Sequence, residues 1–584
     1  MTQSLDQMTK EDRLYRMRHS AAHVMAEAVL EMFPDGKFAI GPAIEHGFYY
    51  DFDLPRTLTT DDLGVIEERM QRTMKANHEF VHSEIARDEA RHLFAEQPYK
   101  LELIEGIEDD HVSLYQHGAF TDLCEGPHVE RTGQVGAFKL TNVAGAYWRG
   151  DEHQPMLQRI YGVLFETPEA LEEHLALLEE AQRRDHRRLG RELELFTTHE
   201  LIGAGLPLWL PKGATVRRLL EEFITELERQ AGYEHVYTPH LAKKELYERS
   251  GHWDHFKDDM FPPMQLEHEE MVLRPMNCPH HILIYASKLR SYRELPVRLA
   301  ELGTMYRYER SGVVAGLSRV RAMTLNDAHI FCTADQVKAE FSNVMRLVER
   351  AYATLGIREY AYQLSLRDPA DKEKYAPDDE MWETAEQILR EAMDALGLPY
   401  TEAVGEAAFY GPKLDIQFRD TLGREETYST VQIDFHLPNQ FDLTYIGEDG
   451  AEHRPVIIHR GVISTMERMM AYLIELYAGA FPLWLAPIQA IVIPIADRHL
   501  EYADKVVAEL RSQGLRAEVD GRGERMQAKI RDAQLQKIPY MLVVGDREQE
   551  ADTVAVRQRD GSDLGALPLF QLIDRLKDEV ATKS

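Results

Sequence analysis

Apolar residues first recur at helical spacing between residues 13 and 33, where Leu14, Met17, Ala21, Val24, Met25, Ala28, Val29 and Met32 share one face. Pro34 and Gly36 end that helix. The pattern then changes to turn-bounded runs, KFAIGPAIEHGFYYDFD (37–53) and VGAFKLTNVAGAYWRG (135–150), which predict strands and hairpins. A Glu/Arg-rich stretch, PEALEEHLALLEEAQRRDHRRLGREL (168–193), predicts one helix connecting two domains. From its end to about Pro487 runs a long mixed segment rich in β-type alternation. Beyond it, AIVIPIA (490–496), a helical pattern (501–513), RAEVD (516–520), a second helix and PYMLVVGD (539–546) alternate strand with helix. That alternation predicts a compact α/β domain with a partly parallel sheet. The boundaries drawn from these changes are 1–170, a helical linker 171–192, 193–486 and 487–584. No internal repeat or low-complexity segment interrupts them.

Composition changes the picture little. At 584 residues the chain exceeds one core, and 44% apolar with 28% charged residues is ordinary for a soluble globular protein. Three scattered cysteines, Cys124, Cys278 and Cys332, make no disulfide framework and fit a reducing cytosol. The longest apolar stretch (481–496) is broken by three prolines and the N-terminus lacks a signal-peptide core, so we expect a cytoplasmic protein with no membrane contact. The net charge of −32 argues weakly against nucleic acid, because basic clusters at 183–191, 288–299 and 521–531 are either RNA tracks or solvated helix faces.

The most informative chemistry is Cys278, His329 and His459, each in a short segment read as a buried strand or strand end: RPMNCPHH, LNDAHIFC and RPVIIHRG. A Cys/His/His set gives Zn²⁺ three ligands and leaves its fourth position open for work. Isolated buried Cys and His are more often packing than ligands, so the neighbours matter. Residues 301–332 read as strand, loop, strand, with Arg307 and Glu309 on the first arm and Arg319 and Arg321 on the second. Guanidiniums so placed can clamp a triphosphate, although any one arginine alone is more often a surface ion pair. Glu467 and Arg468 begin an apolar helix further on. Near the N-terminus, His19 and His23 lie one helical turn apart, and Cys124 and His128 are four apart in DLCEGPHV. The four form either a tetrahedral zinc set or satisfied polar packing; Ser20 after His19 rules out the HExxH of a zinc peptidase.

Here the chain resembles a known family. YRYE…RVR (306–321) and MER (466–468) are similar to motifs 2 and 3 of class II aminoacyl-tRNA synthetases, and GYEHVYTPH (232–240) to motif 1. RPMNCPHH, NDAHIFC, AFYGPKLDI (408–416), VQIDFHLP (431–438) and HRGVISTMER resemble the threonyl-tRNA synthetases, over nearly the whole chain.

The resemblance implies a multidomain α+β and α/β architecture: an N-terminal editing domain, a class II antiparallel-sheet catalytic core and a C-terminal α/β anticodon-binding domain, with no ubiquitin-like β-grasp domain ahead of them. It implies ATP-dependent activation of L-threonine, transfer to tRNA(Thr), a homodimer built on motif 1, one Zn²⁺ per subunit on Cys278, His329 and His459, and Mg²⁺ with ATP. Arg307 would hold the α-phosphate, Arg319 and Arg468 the far phosphates, and Glu309 and Met323 the adenine. Asp327 and Tyr410 would face threonine, with Lys413 and Gln432 lining the cleft. His19, His23, Cys124 and His128 would hydrolyse seryl-tRNA largely without metal, accompanied by Lys100, Asp122 and Tyr49. Arg531, Glu548 and Arg557 would read the anticodon, with Arg522 a weaker candidate.

Departures from the family pattern are Met323 for an adenine-stacking Phe, Leu325 for Gln, Thr427 and Tyr428 for Gln and a small or apolar residue, and Ser464 for Gly. Rival readings are a non-catalytic RNA-binding paralogue, a duplicate with altered substrate or inhibitor sensitivity, and a free-standing deacylase.

Overall fold

The computed structural model describes residues 5–151, 153–419 and 423–583. The chain divides into two compact units, Met1–Glu179 and Glu180–Ser584. No helix among the described residues is long and apolar enough to cross a membrane.

In the first unit, the predicted helix runs from Lys10 to Met32, capped by Thr9, whose hydroxyl accepts the Asp12 N–H. It lies against a mostly antiparallel sheet of strands Lys37–Phe38, Gly47–Asp53, Met156–Phe165 and Ala137–Tyr147, with Ala43–Ile44 pairing on the second of these. Alternation along Gly47–Asp53 buries Phe48, Tyr50 and Phe52 and turns Tyr49 to the other face. A separate sheet, Val81–Ala86, His111–His117 and Phe120–Leu123, delivers Cys124 just past its last strand.

The predicted single connector is two helices. Pro168–Arg184 ends, and Asp185 caps a second helix, His186–Glu192, by accepting the Arg187 N–H at 2.7 Å. An aspartate at this place competes for backbone donors and restarts the helix rather than continuing it.

The second unit is built on an eight-stranded sheet in the order Glu234–His235, Val297–Tyr306, Ala322–Cys332, Val456–Thr465, Glu425–Asp434, Lys413–Arg419, Tyr360–Leu366, Tyr400–Val404. The two outermost pairings are parallel and all the inner ones antiparallel. Val456–Thr465 is buried at every position, on both faces of the sheet, although it carries His459, Arg460, Ser464 and Thr465. At its centre Arg460, fully enclosed, donates to Glu228 of the helix Pro211–Gln230 at 2.5 Å and lies 4.2 Å from the Tyr233 ring centroid. The C-terminal sheet has the order Ala517–Val519, Ala490–Pro494, Tyr540–Val544, Thr553–Gln558, Asp563–Pro568, with the first three strands parallel and the last two antiparallel.

Removing one partner of the Arg460–Glu228 pair leaves a charge enclosed without its counter-ion. Arg460→Leu is expected to lower unfolding free energy by about 3–5 kcal/mol in urea titrations. A loss under about 1 kcal/mol would mean water reaches Glu228 in the variant.

Candidate functional site

Cys278, His329 and His459 come together in the central sheet, their ligand atoms all within 4.8 Å of one another and all three buried. His329 and His459 are direct cross-strand partners, their ring centroids 4.6 Å apart and nearly perpendicular. Cys278 differs from expectation: it opens the helix Cys278–Ala286, with Pro279 supplying the fixed φ that suits a helix start. No strand carries it.

What identifies the cluster is how the other ring atoms are used. Nε2 of His459 donates to Asp434 Oδ2 at 2.8 Å, and that carboxylate is held by the N–H groups of His436 and Leu437. His281 gives its Nε2–H to Glu301 Oε2 at 3.1 Å, so with that ring neutral its Nδ1 accepts the Nδ1–H of His329 at 2.9 Å. Glu301 is fixed in turn by the N–H and hydroxyl of Thr238 and by Arg274. Both imidazoles therefore turn an unprotonated nitrogen inward, and His459 Nδ1 and His329 Nε2 have no hydrogen-bond partner despite burial. Burial drives the His329 pKa well down, and burial followed by Asp327 and Asp434 drives the Cys278 thiol well up. Two orphaned lone pairs and a thiol, backed by carboxylates, fit a borderline-soft cation that binds thiolate and neutral imidazole.

The expected cleft residues surround this cluster. Asp327 lies two residues before His329 on the same strand and accepts from Asn277 at 3.0 Å; burial pushes its carboxyl pKa up. The Tyr410 ring centroid is 5.0 Å from that of His459, and its hydroxyl donates to Gln432, the cross-strand partner of His459. Lys413 stands opposite Gln432 on the neighbouring strand and pairs with Asp415 at 2.5 Å.

The arginines sit differently from the sequence expectation. The first strand ends at Tyr306 and the second starts at Ala322, so Arg307, Glu309, Arg319 and Arg321 all belong to the connecting loop or its edges. Arg319 pairs with Glu309 at 2.9 Å, and Arg321 Nε donates to the Glu309 carbonyl at 2.8 Å. Burial lowers the Arg307 pKa; Glu309 and Asp259 oppose this, while Arg468 and Arg319 add to it. Arg468 opens the helix Met466–Leu476 and donates to the Thr427 carbonyl and to Glu426, over the Tyr428 ring. The positive charges of Arg468 and Arg319 disfavour the charged form of buried Arg307, which an anion would relieve, and this suits a polyphosphate. Met323 is buried with Met305 and Val320, beside Leu325. Ser464 has φ of 57° next to an irregularity in strand pairing, a left-handed conformation that favours glycine.

In the first unit His19, His23, Cys124 and His128 also gather within 4.8 Å, and His19, His23 and Cys124 line a cavity of about 870 Å³ together with Lys100 and Asp122. Here the partners close on one another. Cys124 Sγ lies 3.4 Å from His19 Nε2 and 3.3 Å from His128 Nε2, and it accepts the Gly126 N–H. Ser20 Oγ meets His128 Nδ1 at 3.0 Å. Lys100 and Asp122 form a buried pair at 2.5 Å, and His23 lies 3.5 Å from the same carboxylate. Burial lowers the pKa of all three histidines and raises the Cys124 thiol to about 12, so the cluster is uncharged at neutral pH. Tyr49 is not brought to it. Its ring lies under Arg159 at 3.9 Å on the opposite face, and the tyrosine that reaches Asp122 is Tyr50, at 2.6 Å. Strand alternation, applied to GFYY, distinguishes the two once the buried face is known.

The C-terminal candidates show no mutual contact. Arg531 is exposed beside Asp532, Arg557 faces Asp563 at 3.5 Å, and the Glu548 carboxylate accepts the Gly545 N–H at 2.9 Å as a helix cap. Arg522 is held by Asp520 and Asp532. In the basic cluster 183–191, Arg183, Arg184, Arg187 and Arg188 pair with nearby carboxylates, as on a solvated helix face.

Residues 261–477 match the tRNA synthetase class II core domain (G, H, P, S and T), 489–579 the anticodon binding domain, and 112–161 the threonyl and alanyl tRNA synthetase second additional domain. The threonine–tRNA ligase of Geobacillus sp. (strain WCH70) is 58% identical over 97% of this chain and 88% of its own length. The chain belongs to the threonyl-tRNA synthetase family. The threonine–tRNA ligase of Staphylococcus aureus (strain JH9) is 56% identical over 98% of the chain and 89% of the relative. A crystal structure of the RNA binding domain of threonyl-tRNA synthetase from Cryptosporidium parvum Iowa II superposes with a TM-score of 0.65 at 38% identity, covering 68% of this chain and 98% of that one. The multidomain expectation for the fold, with a class II core between an editing-type region and an anticodon-binding domain, agrees with these matches.

A partner that holds the outer nitrogen of a ligating imidazole is commonly worth about 10–100-fold in metal affinity. Glu301→Gln is therefore expected to weaken zinc binding by about that factor, read by competition with a chromophoric chelator. Unchanged competition would detach Glu301 from the His329 ring.

Proposed function

We propose that the chain is a threonine–tRNA ligase in which one buried cluster selects threonine and a second, separate cluster removes serine errors. The observation that carries the reading is the pair of orphaned imidazole nitrogens facing Cys278 beside Asp327 and Tyr410. Cys278, His329 and His459 hold Zn²⁺, one per subunit. When bound, the zinc would accept both the amine and the hydroxyl of threonine, and valine, which has only the amine, would leave the hydroxyl's position unfilled.

Arg307 holds the α-phosphate of ATP, with Arg319 and Arg468 on the outer phosphates and Mg²⁺ screening them; Glu309 and Met323 border the adenine. In the first step the threonine carboxylate attacks the α-phosphorus and pyrophosphate leaves with the bridging electrons, giving threonyl adenylate. In the second, a ribose hydroxyl of the terminal adenosine of tRNA(Thr) attacks the acyl carbon and AMP departs. Asp327, Tyr410 and Gln432 orient the amino acid, and Lys413 adds positive charge to the cleft. The protein's part in both steps is positioning and stabilisation of charge.

Serine carries the hydroxyl and lacks one methyl, a difference of about 1–3 kcal/mol, or about 10–200-fold. The first site alone therefore leaves a residue of errors. His19, His23, Cys124 and His128, with Lys100, Asp122 and Tyr50, form a water-activating cluster for seryl-tRNA(Thr). Because Cys124 already hydrogen-bonds the imidazoles of His19 and His128, three of the four residues are satisfied without metal and only His23 Nδ1 is left unpartnered, whereas the central cluster leaves both imidazoles orphaned. Arg531, Glu548 and Arg557 belong to the anticodon-recognising domain. We place the enzyme in the cytoplasm as a homodimer joined through the segment 232–240, where Tyr237 is 94% exposed in the single chain.

Threonine-dependent ATP–pyrophosphate exchange tests the ligase reading: exchange with threonine, background with valine, and serine slower by about 10–200-fold. Comparable exchange with valine would sink it. For the second cluster, a neutral imidazole base is needed and the folded pKa values are lowered, so the base stays unprotonated below the usual value of 6.5. Deacylation of seryl-tRNA is expected to hold its rate from pH 8 through 6.5 and fall only at more acidic pH. A midpoint at or above 6.5 would contradict a buried base.

A further inference from the structure

Outside both clusters, one buried histidine occupies a place for which neither reading has a use. His186, 6% exposed, begins the short helix His186–Glu192 that follows the break at Asp185. Its Nδ1 lies 2.7 Å from Glu475 Oε1, and its backbone N–H reaches the same oxygen at 3.2 Å. Glu475 lies in the last turn of Met466–Leu476, the helix that Arg468 opens. On the other side of the ring, Nε2 accepts the backbone N–H of Leu317 at 3.1 Å. Leu317 is fully buried in the loop joining the two central strands, between Glu309 and Arg319.

The two contacts define one tautomer. Nδ1–H donates to the Glu475 carboxylate, leaving the Nε2 lone pair to accept the Leu317 amide. Gly316 shows how close the approach is: its φ is +50°, and a Cβ there would meet His186 Nε2 at 2.2 Å. Arg184, two residues earlier, donates to the Glu475 and Leu476 carbonyls, so the same segment also caps the helix end. The loop tip is thereby tied, through one imidazole, to the helix that starts at Arg468.

We propose that His186 is a positioning residue that pre-orders the arginine-bearing loop for ATP, acting from the short helix His186–Glu192 within the second unit. The proposal rests on the assignment of Arg307 and Arg319 to the phosphates. An ordered loop spends less free energy on closing around ATP, so the free enzyme binds it better, while the saturated enzyme reacts at the same rate. His186 touches no substrate in this scheme.

The two contacts can be separated by substitution, because asparagine places a donor near the Nδ1 position and glutamine an acceptor near Nε2. The expected result for His186→Asn is faster hydrogen exchange at the Leu317 amide, by about tenfold for one lost hydrogen bond. KM for ATP in threonine-dependent pyrophosphate exchange should rise by about the same factor, with kcat and KM for threonine unchanged. His186→Gln should keep Leu317 protected and KM near the parent value. Gly316→Ala, which leaves His186 intact and crowds its ring, should reproduce the His186→Asn behaviour. A role confined to folding would lower the active fraction, and hence kcat, without moving KM; that pattern in either variant overturns the proposal. So does unchanged Leu317 exchange in His186→Asn. If the parent enzyme shows no threonine-dependent exchange, the ligase reading fails first, while Leu317 exchange still reports on the contact itself.

Discussion

Two imidazoles face each other across adjacent strands at the centre of the sheet, each denied a partner on its inner nitrogen. An unsatisfied buried nitrogen costs free energy, and here two are held in place by acceptors on their outer sides. Asp434 and the His281–Glu301 pair are therefore as much part of the site as Cys278, because without them either ring could turn or take the other tautomer. The Thr238 contacts to Glu301 carry this constraint to the segment we place at the subunit boundary.

The second cluster obeys a different rule with similar residue types. Its sulfur is shared between two imidazoles, and Asp122 is neutralised by Lys100 and bonded by Tyr50. Charge is cancelled locally, leaving neutral imidazoles beside a cavity. The central cluster orphans both of its imidazoles while the second leaves only His23 Nδ1 without a partner, although both read as Cys and His at suggestive spacing.

In the second unit, the loop 307–321 holds a buried guanidinium that is unfavourable alone. Burial, and then Arg468 and Arg319, disfavour the charged form of Arg307, and Glu309 offsets part of this. Such a loop needs support from outside the site, and His186 and Gly205, whose carbonyl accepts the Arg321 N–H, supply it from elements distant in sequence.

Local pattern was enough to read the helix Lys10–Met32 and the strand–helix alternation after residue 487, both of which depend on periodicity. Pattern alone left the arginine motifs and both Cys/His sets open, and the family resemblance is what singled them out. Pattern was not enough where the answer depends on a distant partner. GFYY does not say whether Tyr49 or Tyr50 faces inward until the helix covering that strand is placed, and RPMNC does not say that Cys278 starts a helix. Asp185 breaks a continuous helical pattern because a competing hydrogen bond is available there. Residue chemistry and spacing are written along the chain; the protonated nitrogen of each histidine is decided only by neighbours the fold supplies, because hydrogen bonding acts over about 3 Å of space rather than along the sequence.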